Sequence, residues 1–238
     1  MLRIAYVCIV SLPVILYYLW RAAYIERHSE KYSEDDRYRI ARRMVRIMKR
    51  NGFIRTLVYG AENLPPQGGY VMYANHQGKY DSLGIIVAHQ QPCTIMIDAH
   101  RSKLPLTNEF IRLLQGSRLD KSNMKAQLGT ILDVISQVKS GRRYIIFPEG
   151  GYYHNKNAVQ DFLPGAFKCS IKSKSPIVPV ALIDSYKPFG LNSIRPVTTQ
   201  VHFLEPIYYD EYKEMNSIEI ASLVRDKIKN VIDQVCNN

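Results

Sequence analysis

Short apolar runs alternate with amphipathic stretches over most of this chain. Ile54 to Tyr59, Tyr70 to Ala74, Cys93 to Ile97, Tyr144 to Phe147, Ile177 to Ile183 and Thr199 to Leu204 are compact runs, most of them rich in β-branched and aromatic residues, and each reads as a strand. Between and after them, Ser82 to His89, Asn108 to Leu114, Lys125 to Val138, Gly165 to Lys172 and Ile218 to Val235 read as helices. Ser140-Gly141 ends the third of these helices, and Leu64-Pro65-Pro66-Gln67-Gly68-Gly69 is a loop. Strands alternating with helices predict an α/β layered fold. A chain of 238 residues, 46% of them hydrophobic, can bury one sizeable core, and no repeat divides it.

The N-terminus departs from that pattern. Ile4 to Trp20 carries no charge between Arg3 and Arg21, which is at the short limit of the roughly 17–25 residues of a membrane span. Ser11 and Pro13 interrupt the run, and Tyr17, Tyr18, Trp20 and Tyr24 crowd one end as an interfacial aromatic belt does. A secretory signal peptide is the rival reading, but no small-x-small cleavage site follows. The segment reads as a retained anchor, either a short span or a helix lying in one leaflet. A second helix starts at Glu34-Asp35-Asp36, carries Ile40, Met44, Ile47 and Met48 along one face, and stops at Asn51-Gly52. Residues 1–52 are therefore expected to form membrane-anchoring helices with a basic face, and residues 53–238 a catalytic domain.

Charge sharpens that expectation. The net charge is +11. From Arg37 to Arg55 the chain holds eight basic side chains and no acid. No zinc-finger spacing, RNA-binding aromatic signature or basic helix-turn-helix accompanies them, so nucleic acid is not the expected partner. An anionic membrane surface is, at roughly 1 kcal/mol per basic residue near it. With the basic load C-terminal to the anchor, the positive-inside rule places the protein at the cell membrane with its catalytic domain on the cytoplasmic side. Cys8, Cys93, Cys169 and Cys236 are scattered, with neither disulfide nor metal-ligand spacing. His89, His100, His154 and His202 show no ligand-like spacing either, so no metal is expected.

The candidate chemistry lies at Asn75-His76-Gln77-Gly78-Lys79-Tyr80-Asp81, on the turn between a strand and a helix, and at Phe147-Pro148-Glu149-Gly150. An imidazole takes a proton near neutral pH, and a carboxylate beside it fixes its tautomer. Asp81 is also, by residue type, a good helix N-cap. No Ser, Cys or Thr stands between His76 and Asp81. The base is thus expected to act on a hydroxyl that the substrate brings.

These segments resemble the glycerolipid acyltransferases, in particular the bacterial 1-acyl-glycerol-3-phosphate acyltransferases. Their N-H-x4-D motif is matched by Asn75, His76 and Asp81, and their F-P-E-G by Phe147 to Gly150. Leu163 to Lys168 and Ile177-Val178-Pro179-Val180 resemble two further segments of the family, so the likeness runs from about residue 55 to 205. It implies a layered mixed sheet flanked by helices with an N-terminal membrane-associated element. It implies transfer of an acyl group from an acyl-CoA or acyl carrier protein thioester, with no cofactor, to the free hydroxyl of a lysophospholipid acceptor, forming phosphatidate. In that reading His76 is the base, Asp81 orients it, and Glu149 and Gly150 shape the acceptor site. The acceptor phosphate is assigned to Arg118 and Lys121, with Lys103 a third candidate. Two positions depart from the family. Gly151-Tyr152 stands where Thr or Ser and then Arg usually follow F-P-E-G, and Lys121 ends the second motif in place of Arg. Lysine offers a phosphate a point charge but no bidentate fork. A related acyltransferase with another lysolipid or with glycerol 3-phosphate as acceptor is therefore the alternative, followed by a metal-dependent hydrolase and a non-enzymatic basic membrane-binding protein.

Overall fold

The computed structural model describes residues 2–237. Its strands are β1 (Ile54–Tyr59), β2 (Val71–Ala74), β3 (Thr94–Asp98), β4 (Ser117–Leu119), β5 (Tyr144–Ile146), β6 (Ile177–Ile183) and β7 (Val197–Phe203). They form one 7-stranded sheet in the order β1-β7-β6-β2-β5-β3-β4. From β6 to β4 every neighbour is parallel. β7 turns antiparallel to β6, and β1 runs parallel to β7, which makes the sheet mixed. The central strands β2, β5 and β6 are buried at every position, as their unbroken apolar runs require of strands covered on both faces.

The helices are α1 (Leu2–Val10), α2 (Leu12–Arg27), α3 (Glu34–Asn51), α4 (Asp81–Ala88), α5 (Thr107–Leu113), α6 (Met124–Lys139), α7 (Lys168–Ser173), α8 (Lys187–Gly190), α9 (Tyr209–Tyr212) and α10 (Ser217–Cys236). Side-chain alternation on β2 sorts them. Met72 and Ala74 face a core shared with Tyr38 and Val45 of α3, Ile85 and Ile86 of α4 and Ile111 of α5. Val71 and Tyr73 face the opposite core, closed by Val134 and Val138 of α6 and by Ile220, Val224 and Ile228 of α10. α3 starts at a reciprocal cap, the Ser33 hydroxyl accepting from the Asp36 N–H (3.2 Å) and the Asp36 carboxylate from the Ser33 N–H (3.1 Å). Its buried face joins the sheet's own core, so packing continues across residue 52.

The boundaries expected from sequence shift by a few residues at most. Strand β4 and the four-residue helices α8 and α9 have no counterpart in the sequence reading; β4, too short to show alternation, is specified by pairing with β3, Met96 opposite Ser117. The helix expected over 165–172 divides into a 3-10 turn, Pro164–Phe167, and α7. The apolar N-terminal run is broken as well. No single helix among the described residues is long and apolar enough to cross a membrane; α1 and α2 meet the length and composition only as a pair bent by 76°. Ser11 occupies the break, its hydroxyl accepting from Asn51 Nδ2 at 2.8 Å, and Pro13 stands in the first turn of α2.

α1 is fixed to the body by a charge. Arg3 is fully buried, and its guanidinium donates to the carbonyls of Pro188 (2.9 Å), Lys187 (3.3 Å) and Arg195. Charge-assisted bonds of this kind are worth about 1.5–3 kcal/mol each, less the cost of burying the charge. Arg3→Ala should free α1, lowering stability by about 1–3 kcal/mol in chemical denaturation and exposing the segment before Glu34 to limited proteolysis ahead of the rest of the chain.

Candidate active site

Six residues carry the chain from the end of β2 into α4, and their polar side chains staple that turn to β6. Asn75 continues the strand with its amide: Nδ2 donates to the Leu182 carbonyl (3.0 Å) and Oδ1 accepts from the Leu182 N–H (2.7 Å). Gln77 repeats the arrangement, donating to the Leu182 carbonyl (2.7 Å) and to Asn157 Oδ1 (3.0 Å) while accepting from the Ser185 N–H (2.8 Å). Both amides are buried and fully engaged, which fixes the turn as rigidly as the sheet.

His76 projects from between them. Its Nδ1 lies 2.6 Å from Asp81 Oδ2, and the same oxygen accepts the N–H groups of Gln77 (2.5 Å) and Gly78 (2.8 Å). An oxygen accepting two backbone N–H groups has no proton to give, so Nδ1 is the protonated nitrogen and Nε2 the basic one. Asp81 is not the helix cap that its residue type suggested. Tyr80 holds the cap position, and the Asp81 carboxylate reaches back over the turn. Asp81 is fully buried and its Oδ1 has no hydrogen-bond partner among the described residues. The carboxylate therefore depends on the contacts at Oδ2. Two amides near the start of α4, candidates for stabilising a transition-state oxyanion, are spent on it.

The imidazole is held between aromatic rings. Phe147 stacks on it at 4.3 Å, and Tyr152 meets it edge-on at 4.7 Å. The His76 side chain keeps 17% of its exposure, and it opens into a cavity of about 1640 Å³. That cavity runs from the Phe147-Pro148-Glu149-Gly150 turn to the inner faces of α1 and α2, where Val7, Val14, Ile15 and Tyr18 line it. A largely apolar space with a base at one end can hold an acyl chain against reacting polar groups.

Of the residues expected to bind phosphate, the structure brings Lys121 to the cavity, where its Nζ donates to the Gly150 carbonyl at 2.7 Å. Gly150 has φ +72°, the left-handed region that favours glycine. Arg118 and Lys103 are not among the lining residues. The Arg118 fork is committed to Ser102 Oγ (3.0 Å) and Asn108 Oδ1 (2.9 Å), and Lys103 is exposed outside. The cations that do line the cavity beside Lys121 are Lys79, Arg101 and Lys168. Lys79 lies inside the His–Asp segment, within sequence reach of the imidazole. Arg101, whose guanidinium lies 5.1 Å from the Tyr152 ring centre, carries no local signal.

Glu149 is buried beside the turn. It accepts from the Gln160 side chain and from its backbone N–H (3.3 Å). Burial pushes its carboxyl up to about 7, against the pull of the Gln160 and His76 donors. The unfolded chain ionises near pH 4.5 and the folded one near 7, so the folded state binds the extra proton between them. Stability contributed by this group is full below about pH 4.5 and is lost as pH rises to about 7. Glu149→Gln should remove that slope. Thermal or urea denaturation should find the variant's stability relative to wild type rising by up to about 3 kcal/mol between pH 4.5 and 7; a flat difference would show that Glu149 titrates normally.

The chain is similar to known acyltransferases. The profile of the acyltransferase family matches residues 55–183. The 1-acyl-sn-glycerol-3-phosphate acyltransferase of Borreliella burgdorferi is 24% identical over 190 residues, covering 76% of this chain and 73% of that protein. Its counterpart in Escherichia coli is 26% identical over 169 residues, covering 71% and 69%. The crystal structure of the 1-acyl-sn-glycerophosphate acyltransferase of Thermotoga maritima, at 20% identity, shares the fold over 98% of both chains with a TM-score of 0.73. The family match spans more than half of the chain and takes in both the His76–Asp81 turn and the Phe147–Gly150 turn. This protein therefore belongs to the acyltransferase family.

Proposed function

We propose that this protein transfers an acyl group from an acyl thioester to the free hydroxyl of 1-acyl-glycerol 3-phosphate, forming phosphatidate. The observation that carries the reading is the His76–Asp81 pair, its Nε2 unengaged, at the polar end of a large apolar cavity. His76 Nε2 takes the hydroxyl proton while the oxygen attacks the thioester carbonyl. The tetrahedral intermediate collapses, the C–S bond breaks, and the imidazolium returns the proton to the leaving thiolate. Asp81 steadies the imidazolium between these steps. No enzyme nucleophile is needed. Cys169, which borders the cavity, is buried and its thiol is pushed up to about 12, so it is no thiolate.

Lys121 holds the acceptor phosphate, and Glu149 and Gly150 shape the wall against which it sits. Arg118 acts at one remove, by holding Ser102 and Asn108. The thioester comes from acyl-CoA or acyl carrier protein, without a further cofactor. The exposed side chains of α1 and α2, among them Leu12, Leu16, Trp20 and Tyr24, enter one leaflet, and the arginines that follow meet anionic headgroups on the cytoplasmic side of the cell membrane. A different lysolipid acceptor is favoured by one observation, the Tyr152 ring against His76 at the place where the resembled family motif usually has arginine.

His76→Ala should lower turnover by roughly 10²-fold or more with folding intact, and Asp81→Asn should approach it by mis-setting the tautomer. Retention of a tenth of the wild-type rate by His76→Ala excludes the general base.

Lys121→Ala should raise KM for lysophosphatidate roughly tenfold, the worth of one charge-assisted contact, and leave the acyl donor's KM nearly unchanged. Arg118→Ala should affect both substrates alike. Kinetics with lysophosphatidate and with phosphate-free or amino-headgroup lysolipids separates these roles and identifies the acceptor.

A further inference from the structure

The mouth of the cavity is bordered by apolar side chains that nothing in the fold covers. α6 shows this most plainly. Its C-terminal half buries Val134, Ile135 and Val138 against the sheet, whereas its N-terminal half carries the same apolar stripe beyond the core, leaving Met124 and Leu128 84% and 57% exposed. Beside it project Leu104 and Leu106, at the tip of the loop before α5, and Tyr153 and Leu163. All six line the cavity whose opposite wall is α1 and α2. Leu106 is held at φ +66°, a backbone state that costs a leucine energy and persists where the surroundings impose it. Arg118 spans this tip, donating to Ser102 on one side of it and to Asn108 on the other.

Cations predominate on the segments that form this rim, although Asp98, Glu109 and Glu149 also line the cavity. Between Asp98 and Glu109 the chain holds Arg101 and Lys103 and no acid, between Asp120 and Asp133 Lys121 and Lys125 and no acid, and between Glu149 and Asp161 Lys156 and no acid. Exposed leucine, methionine and tyrosine ringed by lysine and arginine match a bilayer surface, with apolar groups among acyl chains and ammonium groups at anionic headgroups. The same features encircle an opening through which a two-tailed product must leave. A protein partner seated there would seal it; a lipid layer would feed it.

We infer that this rim is a second bilayer-contacting surface, facing α1 and α2 across the cavity mouth, so that the acceptor enters from the leaflet without crossing water. The inference rests on the reading of the acceptor as a lipid. Its test is co-sedimentation of the full-length protein with vesicles of phosphatidylcholine and phosphatidylglycerol, at low and high salt. Met124→Glu/Leu128→Glu, with α1 and α2 untouched, should partition at least about tenfold less than wild type at high salt. Met124→Trp, which adds an interfacial aromatic at an exposed helix position, should partition more tightly. Circular dichroism reports folding, and if the glutamate variant does not fold, the tryptophan variant decides alone. Wild-type partitioning by both variants overturns the inference. So does a loss confined to transfer from acyl carrier protein, which would make the rim a protein-docking face, or a lipid-free dimer of the wild type that the glutamates dissociate. Wild-type transfer to lysophosphatidate in detergent, assayed in parallel, isolates the function: failure there sinks the proposed acceptor and leaves the vesicle comparison standing.

Discussion

A single carboxylate oxygen organises the centre of this protein. Asp81 Oδ2 gathers the His76 imidazole and the N–H groups of Gln77 and Gly78, and so closes the turn that converts strand into helix. Removing it would strand the buried Gln77 N–H, at about 1–3 kcal/mol, free the half-buried Gly78 N–H, and release the imidazole. The fold is built around keeping that turn still. Asn75 and Gln77 fasten it to β6, and Phe147 and Tyr152 pin the ring from the side of β5. The placing of the imidazole and the shape of the turn are one set of contacts, so neither can drift without the other.

Around that point the molecule separates its duties by polarity. The sheet and its two packed faces supply rigidity. The long cavity supplies an apolar space between the sheet and the N-terminal helices. Cations collect where the cavity reaches the base, and Glu149, largely withdrawn from water, lies behind them at a carboxyl affinity close to neutral pH. Arg118 lies off the cavity lining, with both terminal nitrogens donating to the frame residues Ser102 and Asn108. A guanidinium so placed resists substitution by lysine, which cannot bridge two acceptors in one plane.

Much of this was legible in the chain. Six strands and the principal helices followed from apolar periodicity, because central parallel strands and amphipathic helices each write a strong local pattern. The His76–Asp81 pair was legible because both residues lie on one turn, and the Phe147–Gly150 turn because its motif is contiguous. What escaped depends on long-range partners. β4 is a strand only through β3, the interruption seen at Ser11 becomes a 76° bend held by Asn51, and the commitment of Arg118 is set by Ser102 and Asn108. The second reading of Asp81, as a helix cap, fails because residue type reports capacity to accept N–H groups, not which ones it reaches.

The aromatic sandwich around His76 has a spectroscopic side. Its ring lies face to face with Phe147 and edge-on to Tyr152. Protons on that imidazole therefore sit in the ring currents of two neighbours and resonate away from those of solvent-exposed histidines. Any molecule that shifts Tyr152 as it enters changes that field. The base thus carries its own magnetic reporter, native to the sequence, by which occupancy of the site can be followed without a label.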